Sequence, residues 1–320
     1  MNGLADAGRL AAWAAFLFAA WAAVTGGLAL REGRDDLATT ARRGLVAAAA
    51  CAVVAVGVLA VAVVTRDYAF AFVAQRVSGL MPRRWAPIAL LASTPGAMLV
   101  WAAMAGVGAA VAARPPLGDA RAGHLAPGAT SGASGVATIA VGAAAMAIAV
   151  AVALATRPFA PTFGAVPDGG VLAPDLQQAA PTVTGVAYLA ASAAAMVAFA
   201  RTAGALAARS LDAAWSAAVR RWNAVAWVAV LTGTVAAARW YAATPLRGAW
   251  LADPATPLWL LPCAIGVWLV HLDAGRPTAD RVVTRVLLTA AMAVAGAAAL
   301  AYGAGAPVRG VGDAAAPAGS

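Results

Sequence analysis

The sequence predicts an all-α integral membrane protein, a polytopic bundle of about eight transmembrane helices. Hydrophobic residues make up 63% of the 320 residues, charged residues make up only 11%, and the mean hydropathy is +0.81. Soluble domains carry about 25% charged residues, so a lipid bilayer is the expected surrounding of this chain. Eight apolar runs are long enough to cross roughly 30 Å of hydrocarbon. They lie near residues 10–30, 44–64, 86–113, 135–156, 182–200, 222–238, 257–272 and 286–304.

These runs predict one transmembrane domain over residues 1–305, followed by a disordered tail over residues 306–320. The first run is longer than the 7 to 15 apolar residues of a typical signal peptide, so we expect a retained helix. An even number of spans places both termini on the same side. Arginines are more frequent in the connections that then lie inside, and the positive-inside rule therefore predicts that both termini lie outside.

The composition also excludes several classes of function. The net charge is +9, but the arginines form short clusters between apolar runs, which indicates contact with lipid headgroups and no nucleic-acid partner. Cys51 and Cys263 stand alone in apolar runs, so the chain by itself builds neither a redox Cys pair nor a zinc site. Common nucleotide-binding, metalloprotease and hydrolase signatures are missing. No catalytic residue is assigned.

One of the segments predicted to lie outside, residues 239–262, resembles a segment of a known protein family. Its residues Arg239-Trp240-Tyr241 and Gly248-Ala249-Trp250-Leu251-Ala252-Asp253-Pro254 resemble a degenerate tryptophan-rich WWD segment. This segment presents haem in the CcmF, CcmC and CcsA family of cytochrome c assembly proteins. Other segments resemble CcmF more narrowly, and the likeness spans nearly the whole chain. These segments are Asp67-Tyr68-Ala69-Phe70, Leu80-Met81-Pro82, Pro158-Phe159, Pro167-Asp168-Gly169 and Arg221-Trp222.

The resemblance implies a subunit of cytochrome c maturation in the bacterial inner membrane. Its implied partners are other maturation subunits, a haem chaperone and apocytochrome c, with the lipid bilayer around it. In family terms the chemistry joins haem vinyl groups to cysteine thiols. We do not expect this haem lyase reaction from the chain alone, because two outer histidine ligands of the family are missing. Ala180-Pro181 stands where one of them would be, and Arg309 lies at or near the position of the other.

The same resemblance implies a site for haem b. His271 matches the family's transmembrane histidine, and a neutral imidazole is a good axial ligand of haem iron. A plainer interpretation is that His271 sits at the membrane interface and pairs with Asp273 or headgroups. The remaining candidates for cofactor binding are two tryptophans, two arginines that would pair with haem propionates, and one aspartate: Trp240, Trp250, Arg247, Arg309 and Asp253.

Plainer interpretations remain open for these candidates as well. The aromatic residues of segment 239–262 either stack on a porphyrin or form the interfacial belt common in membrane proteins. For Asp168 and Asp253, turn and helix-cap roles are commoner than acid chemistry. Two alternative functions also stay open, a haem-free scaffold subunit of the assembly machinery and a small-molecule transporter with a tryptophan-rich vestibule.

Overall fold

The fold consists mainly of long helices, as the sequence predicts. The computed structural model describes residues 3–113, 133–162, 168–170, 176–209, 211–243, 255–273 and 279–303. A 3-10 turn at Arg83–Trp85 lies between α3 and α4. The helices are α1 Gly3–Glu32, α2 Asp35–Thr65, α3 Ala71–Arg76, α4 Ile88–Leu91, α5 Thr94–Ala112, α6 Ala133–Ala155, α7 Ala179–Ala207, α8 Ala213–Ala243, α9 Ala255–Asp273 and α10 Ala279–Gly303. The predicted tail, residues 306–320, lies outside the described residues.

The membrane-spanning character of the chain is confirmed by these helices. Within the described residues, seven of them are long and apolar enough to cross a membrane: α1, α2, α5, α6, α7, α8 and α10. The remaining predicted span, 257–272, corresponds to α9, which has 19 residues and whose segment Leu260–Leu272 is apolar. The protein is therefore a multi-pass, all-α membrane protein.

One predicted span differs in the structure, because the apolar run 86–113 is broken. The short helix α4 ends at Leu91, and α5 begins only at Thr94. Ser93 caps α5 by accepting a hydrogen bond from the Gly96 amide at 3.3 Å, and Pro95 occupies the first turn, where its missing N–H has no consequence. Apolarity continues across the break, so hydropathy alone did not reveal where the helix starts.

Small residues allow the helices to pack closely. The inward face of α1 is an alanine stripe, and Ala12, Ala15, Ala19 and Ala22 are all fully buried. Gly44 of α2 faces this stripe, and a Cβ at Gly44 would lie 3.2 Å from the Cβ of Ala22. Within a bilayer, helices associate through such close van der Waals contact and through interhelical hydrogen bonds.

Two buried polar pairs link helices that are distant in sequence. The Trp101 indole N–H of α5 donates to the Ser192 hydroxyl of α7 at 3.2 Å. The Asn223 amide of α8 donates to the Thr289 hydroxyl of α10 at 3.0 Å. Each pair satisfies polar groups that would be costly to leave alone in an apolar interior, and together they fix which helix faces are inside.

Candidate functional site

Two connections meet at one end of the bundle, which we call the loop-rich end. They are the α2–α5 connection, residues 66–93, and the α6–α7 connection, residues 156–178. The Ala71 amide donates to the Ala160 carbonyl at 2.9 Å, and the Thr162 amide donates to the Ala69 carbonyl at 2.8 Å. We call the joined residues 66–81, 156–162 and 168–170 the loop module. Backbone hydrogen bonds therefore make one unit of two separate connections.

Sharp turns bring the chain from the helices into this module. Arg66 at the end of α2 and Arg157 just after α6 adopt left-handed backbone conformations, with φ of 58° and 50°. The Arg66 guanidinium then donates to the Met81 carbonyl. Phe159 is buried against Gly8 of α1, where a Cβ would lie only 2.4 Å from its ring. The module is thus anchored to the bundle as well as to itself.

Asp168 is the polar centre of the loop module. Its carboxylate accepts hydrogen bonds from the Gly79 amide at 2.5 Å, the Gly169 amide at 2.9 Å and the Ser78 hydroxyl at 3.2 Å. The Gly79 amide, followed by the Gly169 amide and the Ser78 hydroxyl, holds the pKa of Asp168 below its ordinary value. Asp168 is a structural tether in a turn, the commoner of the roles that its sequence context indicates.

We expect Asp168→Asn to loosen the loop module in a pH-dependent way. Because the pKa is lowered on folding, the ionised carboxylate stabilises the fold above the unfolded value of about 3.9 and loses this contribution as the pH falls through the folded value. The thermal midpoint in detergent should therefore be lower for Asp168→Asn than for wild type at pH 7. This difference should shrink below a pH of about 4.

Asp6→Asn is the matched control, since Asp6 forms only an exposed ion pair with Arg9 at 2.6 Å. Exposed pairs contribute little to stability, so this variant should unfold like wild type at pH 7. A difference between Asp168→Asn and wild type that persists unchanged at low pH would contradict the tether assignment.

His271 lies on the outward face of the bundle. It is exposed in the last turn of α9 and shares its stripe with Ala264 and with Trp268, which is 67% exposed, whereas Ile265 and Leu269 face inward. The Nδ1 atom of His271 lies 2.8 Å from the Val267 carbonyl oxygen of the same helix. Nδ1 donates in this arrangement, and Nε2 is left as the atom with a free lone pair.

Trp240 points into the bundle. Its side chain is 4% exposed, and its ring lies 4.9 Å from that of Tyr241 at an interplanar angle of 58°. The two rings are not coplanar, so this pair does not present one flat surface on which a porphyrin could stack. The other cofactor candidates, Arg247, Trp250, Asp253 and Arg309, lie outside the described residues.

The structure does not bring the two described candidates together. Helix α8 runs toward the loop-rich end and α9 runs away from it, so Trp240 and His271 lie at opposite ends of the bundle. What the structure does bring together are the segments 67–70, 158–159 and 168–169, a convergence that the sequence analysis did not predict. The one local signal for the tether was the turn-forming Asp168-Gly169 pair.

Comparisons with known proteins agree with this architecture. No protein-family model and no curated protein sequence matches the chain. The solved structure of "Cytochrome c Heme Lyase CcmF" matches it with a TM-score of 0.67 at 19% sequence identity. The match covers 93% of this chain and 51% of that chain, so this chain spans about half the length of the solved one. The helical bundle therefore resembles the fold of that solved structure over most of this chain.

Proposed function

We propose that this chain is a membrane subunit of bacterial cytochrome c maturation that acts in a complex and lies in the inner membrane with both termini outside. The observation that carries the proposal is the CcmF-like fold over 93% of the chain. The chain spans about half the length of the matched lyase. The loop-rich end, whose module carries three of the family-like segments, would be the docking side for a haem chaperone and apocytochrome c.

His271 would bind haem b together with another chain. The hydrogen bond from Nδ1 to the Val267 carbonyl fixes one tautomer and leaves Nε2 as a ligand atom. Haem iron in electron-transfer proteins takes two axial ligands, and an outward-facing histidine provides one of them from this chain. Haem iron, when bound, supplies one-electron redox chemistry; His271 holds and orients the group at the bundle surface.

The WWD-like segment 239–262, which connects α8 to α9 at the end opposite His271, would form a separate haem-handling surface. In this proposal Trp240 and Trp250 supply aromatic packing at the ends of the α8–α9 connection, Asp253 retains the family spacing, and Arg247 and Arg309 pair with propionates. Trp240, being buried, would support the segment from within the bundle.

The haem-free scaffold remains the second candidate, because a specific observation favours it. Ala180 and Pro181 lie in the first turn of α7, where the family resemblance would place an outer histidine ligand, and Pro181 is buried.

The test is a pyridine haemochrome assay on protein purified in detergent after co-expression with the other maturation subunits. We expect near-stoichiometric haem b in wild type and its loss in His271→Ala. His124→Ala is the matched control, because the chain has two histidines, and it should retain haem. Absence of haem b from wild type, with the other subunits still co-purifying, would overturn the ligand assignment and favour the scaffold.

A further inference from the structure

A separate polar cluster lies at the opposite end of the bundle, where α8 and α10 both begin. Arg285 of α10 is only 8% exposed, and its guanidinium donates to the Ser216 hydroxyl of α8. The neighbouring Trp215 is 4% exposed. Burying an arginine side chain in a membrane helix bundle costs free energy, so a buried arginine there indicates a functional site.

Donors in this cluster are buried without a partner. Within the part of the chain that the structure describes, the Trp215 indole Nε1 and the Arg281 Nη1 are inaccessible to solvent and donate to no acceptor. Arg281 and Arg285 are four residues apart and so lie on one face of α10. Val282 and Val286, which follow them in sequence, pack into the same apolar cluster as Trp215. Arg281 and Trp215 therefore both lie in the region where the Arg285–Ser216 hydrogen bond joins the first turns of α8 and α10.

The surrounding charges favour an anion. The acidic residues nearest in sequence are Asp212, which caps α8 by accepting from the Trp215 amide at 2.7 Å, and Asp280. Both are exposed, whereas the guanidinium of Arg285 is buried. Two further arginines at this end, Arg220 and Arg221, are exposed. Buried donors without a partner destabilise the fold, and an anion bound to the Trp215 and Arg281 donors would remove that cost.

We propose that Trp215, Ser216, Arg281 and Arg285 form a binding site for a phosphate group. Guanidinium groups bind phosphate oxygens through paired, charge-assisted hydrogen bonds, and the indole and hydroxyl groups add single donors. The site lies in the first two turns of α8 and α10, the level at which these helices leave the bilayer. Basic pockets between transmembrane helices at this level bind anionic headgroups, so a phospholipid is the expected source.

The test uses native mass spectrometry of the full chain in detergent, titrated with phosphatidylglycerol, phosphatidylcholine or inorganic phosphate. We expect phosphatidylglycerol to be retained, and its affinity to fall on the order of tenfold in Arg281→Gln, which corresponds to the loss of one strong contact. Trp215→Phe, which removes a single N–H and keeps the ring, should weaken binding several-fold. The matched control is the double variant Arg220→Gln/Arg221→Gln, which should bind like wild type.

Each outcome has a definite meaning. Equal retention of phosphatidylglycerol by wild type, Arg281→Gln and Trp215→Phe would overturn the site, as would equal affinity for phosphatidylcholine and phosphatidylglycerol with no variant dependence. Binding of inorganic phosphate with the expected variant dependence, without lipid retention, would support the phosphate site and assign it to a soluble anion. None of these results depends on haem, so the test of the phosphate site is independent of the test of the proposed function.

Discussion

Replacing Gly169 by alanine is expected to separate the two connections of the loop module. A Cβ at Gly169 would lie 1.9 Å from the Val77 carbonyl oxygen. Neither side can yield easily, because the clash involves backbone and the neighbouring bonds hold both segments, with the Gly170 amide donating to the Ala74 carbonyl at 2.8 Å. Overpacking of this kind typically costs about 1–3 kcal/mol of unfolding free energy. Because Gly169 follows Asp168, the clash also displaces the Asp168 carboxylate from its hydrogen-bond donors.

Limited trypsin digestion in detergent measures the loosening of the loop module within the α2–α5 connection itself. Arg83 and Arg84 are exposed cleavage sites in the same connection, and a loosened module should be cut there faster than in wild type. Gly57→Ala on α2 is the control, since its Cβ would meet nothing within 4 Å. Cleavage of Gly169→Ala at the wild-type rate, with an unchanged thermal midpoint, would show that the two segments are not held together as the structure has them.

The second large effect is expected for Gly266→Ala, at the contact of α9 with α8. The added Cβ would lie 2.0 Å from the Trp227 ring. The clash involves ring atoms close to the Trp227 backbone, so a small rotation of the side chain does not relieve it, and α9 must move away from α8. We expect a loss of about 1–3 kcal/mol, although alanine favours the helical state more than glycine does.

A double-mutant cycle distinguishes this steric cause from a general effect on α9. In a Trp227→Ala background the ring is absent, so Gly266→Ala should have a much smaller effect on the thermal midpoint. Ala264→Val, on the exposed side of the same helix, should be tolerated. If the penalty at position 266 were the same in both backgrounds, the Trp227 contact would not be its cause.

The helices were largely predictable from the sequence, and their boundaries were less so. Hydropathy located all eight long helices, because a bilayer requires continuous apolar length. It failed at residues 86–93, where α4 and the Ser93 cap interrupt an apolar run. The cap and Pro95 were visible in the sequence as Ser-Thr-Pro-Gly, but the close approach of the Leu90 carbonyl to Gly96 across the break was not.

The orientation of the candidate site residues was not predictable. Trp240 faces inward and His271 faces outward, yet both sit in predominantly apolar helices. In a soluble protein the polar face marks the outside, but in a bilayer lipid and protein interior are equally apolar. Inter-helix contacts made by Gly233 and Gly266 decide which way α8 and α9 turn, and those contacts lie far apart in sequence.

The loop module also has a mechanical consequence. Its bridge between Phe70 and Pro161 joins the connection that follows α2 to the connection that follows α6. The loop module therefore links helices α2 and α5 to helices α6 and α7 at the loop-rich end. A tilt of the α2–α5 pair against the α6–α7 pair would have to break this link. Helices α9 and α10 pack against each other, α9 also packs against α8, and α10 also packs against α7. Neither α9 nor α10 is joined to a segment of the loop module. Any hinge in this protein should therefore run between α7–α8 and α9–α10, on the side where His271 faces outward.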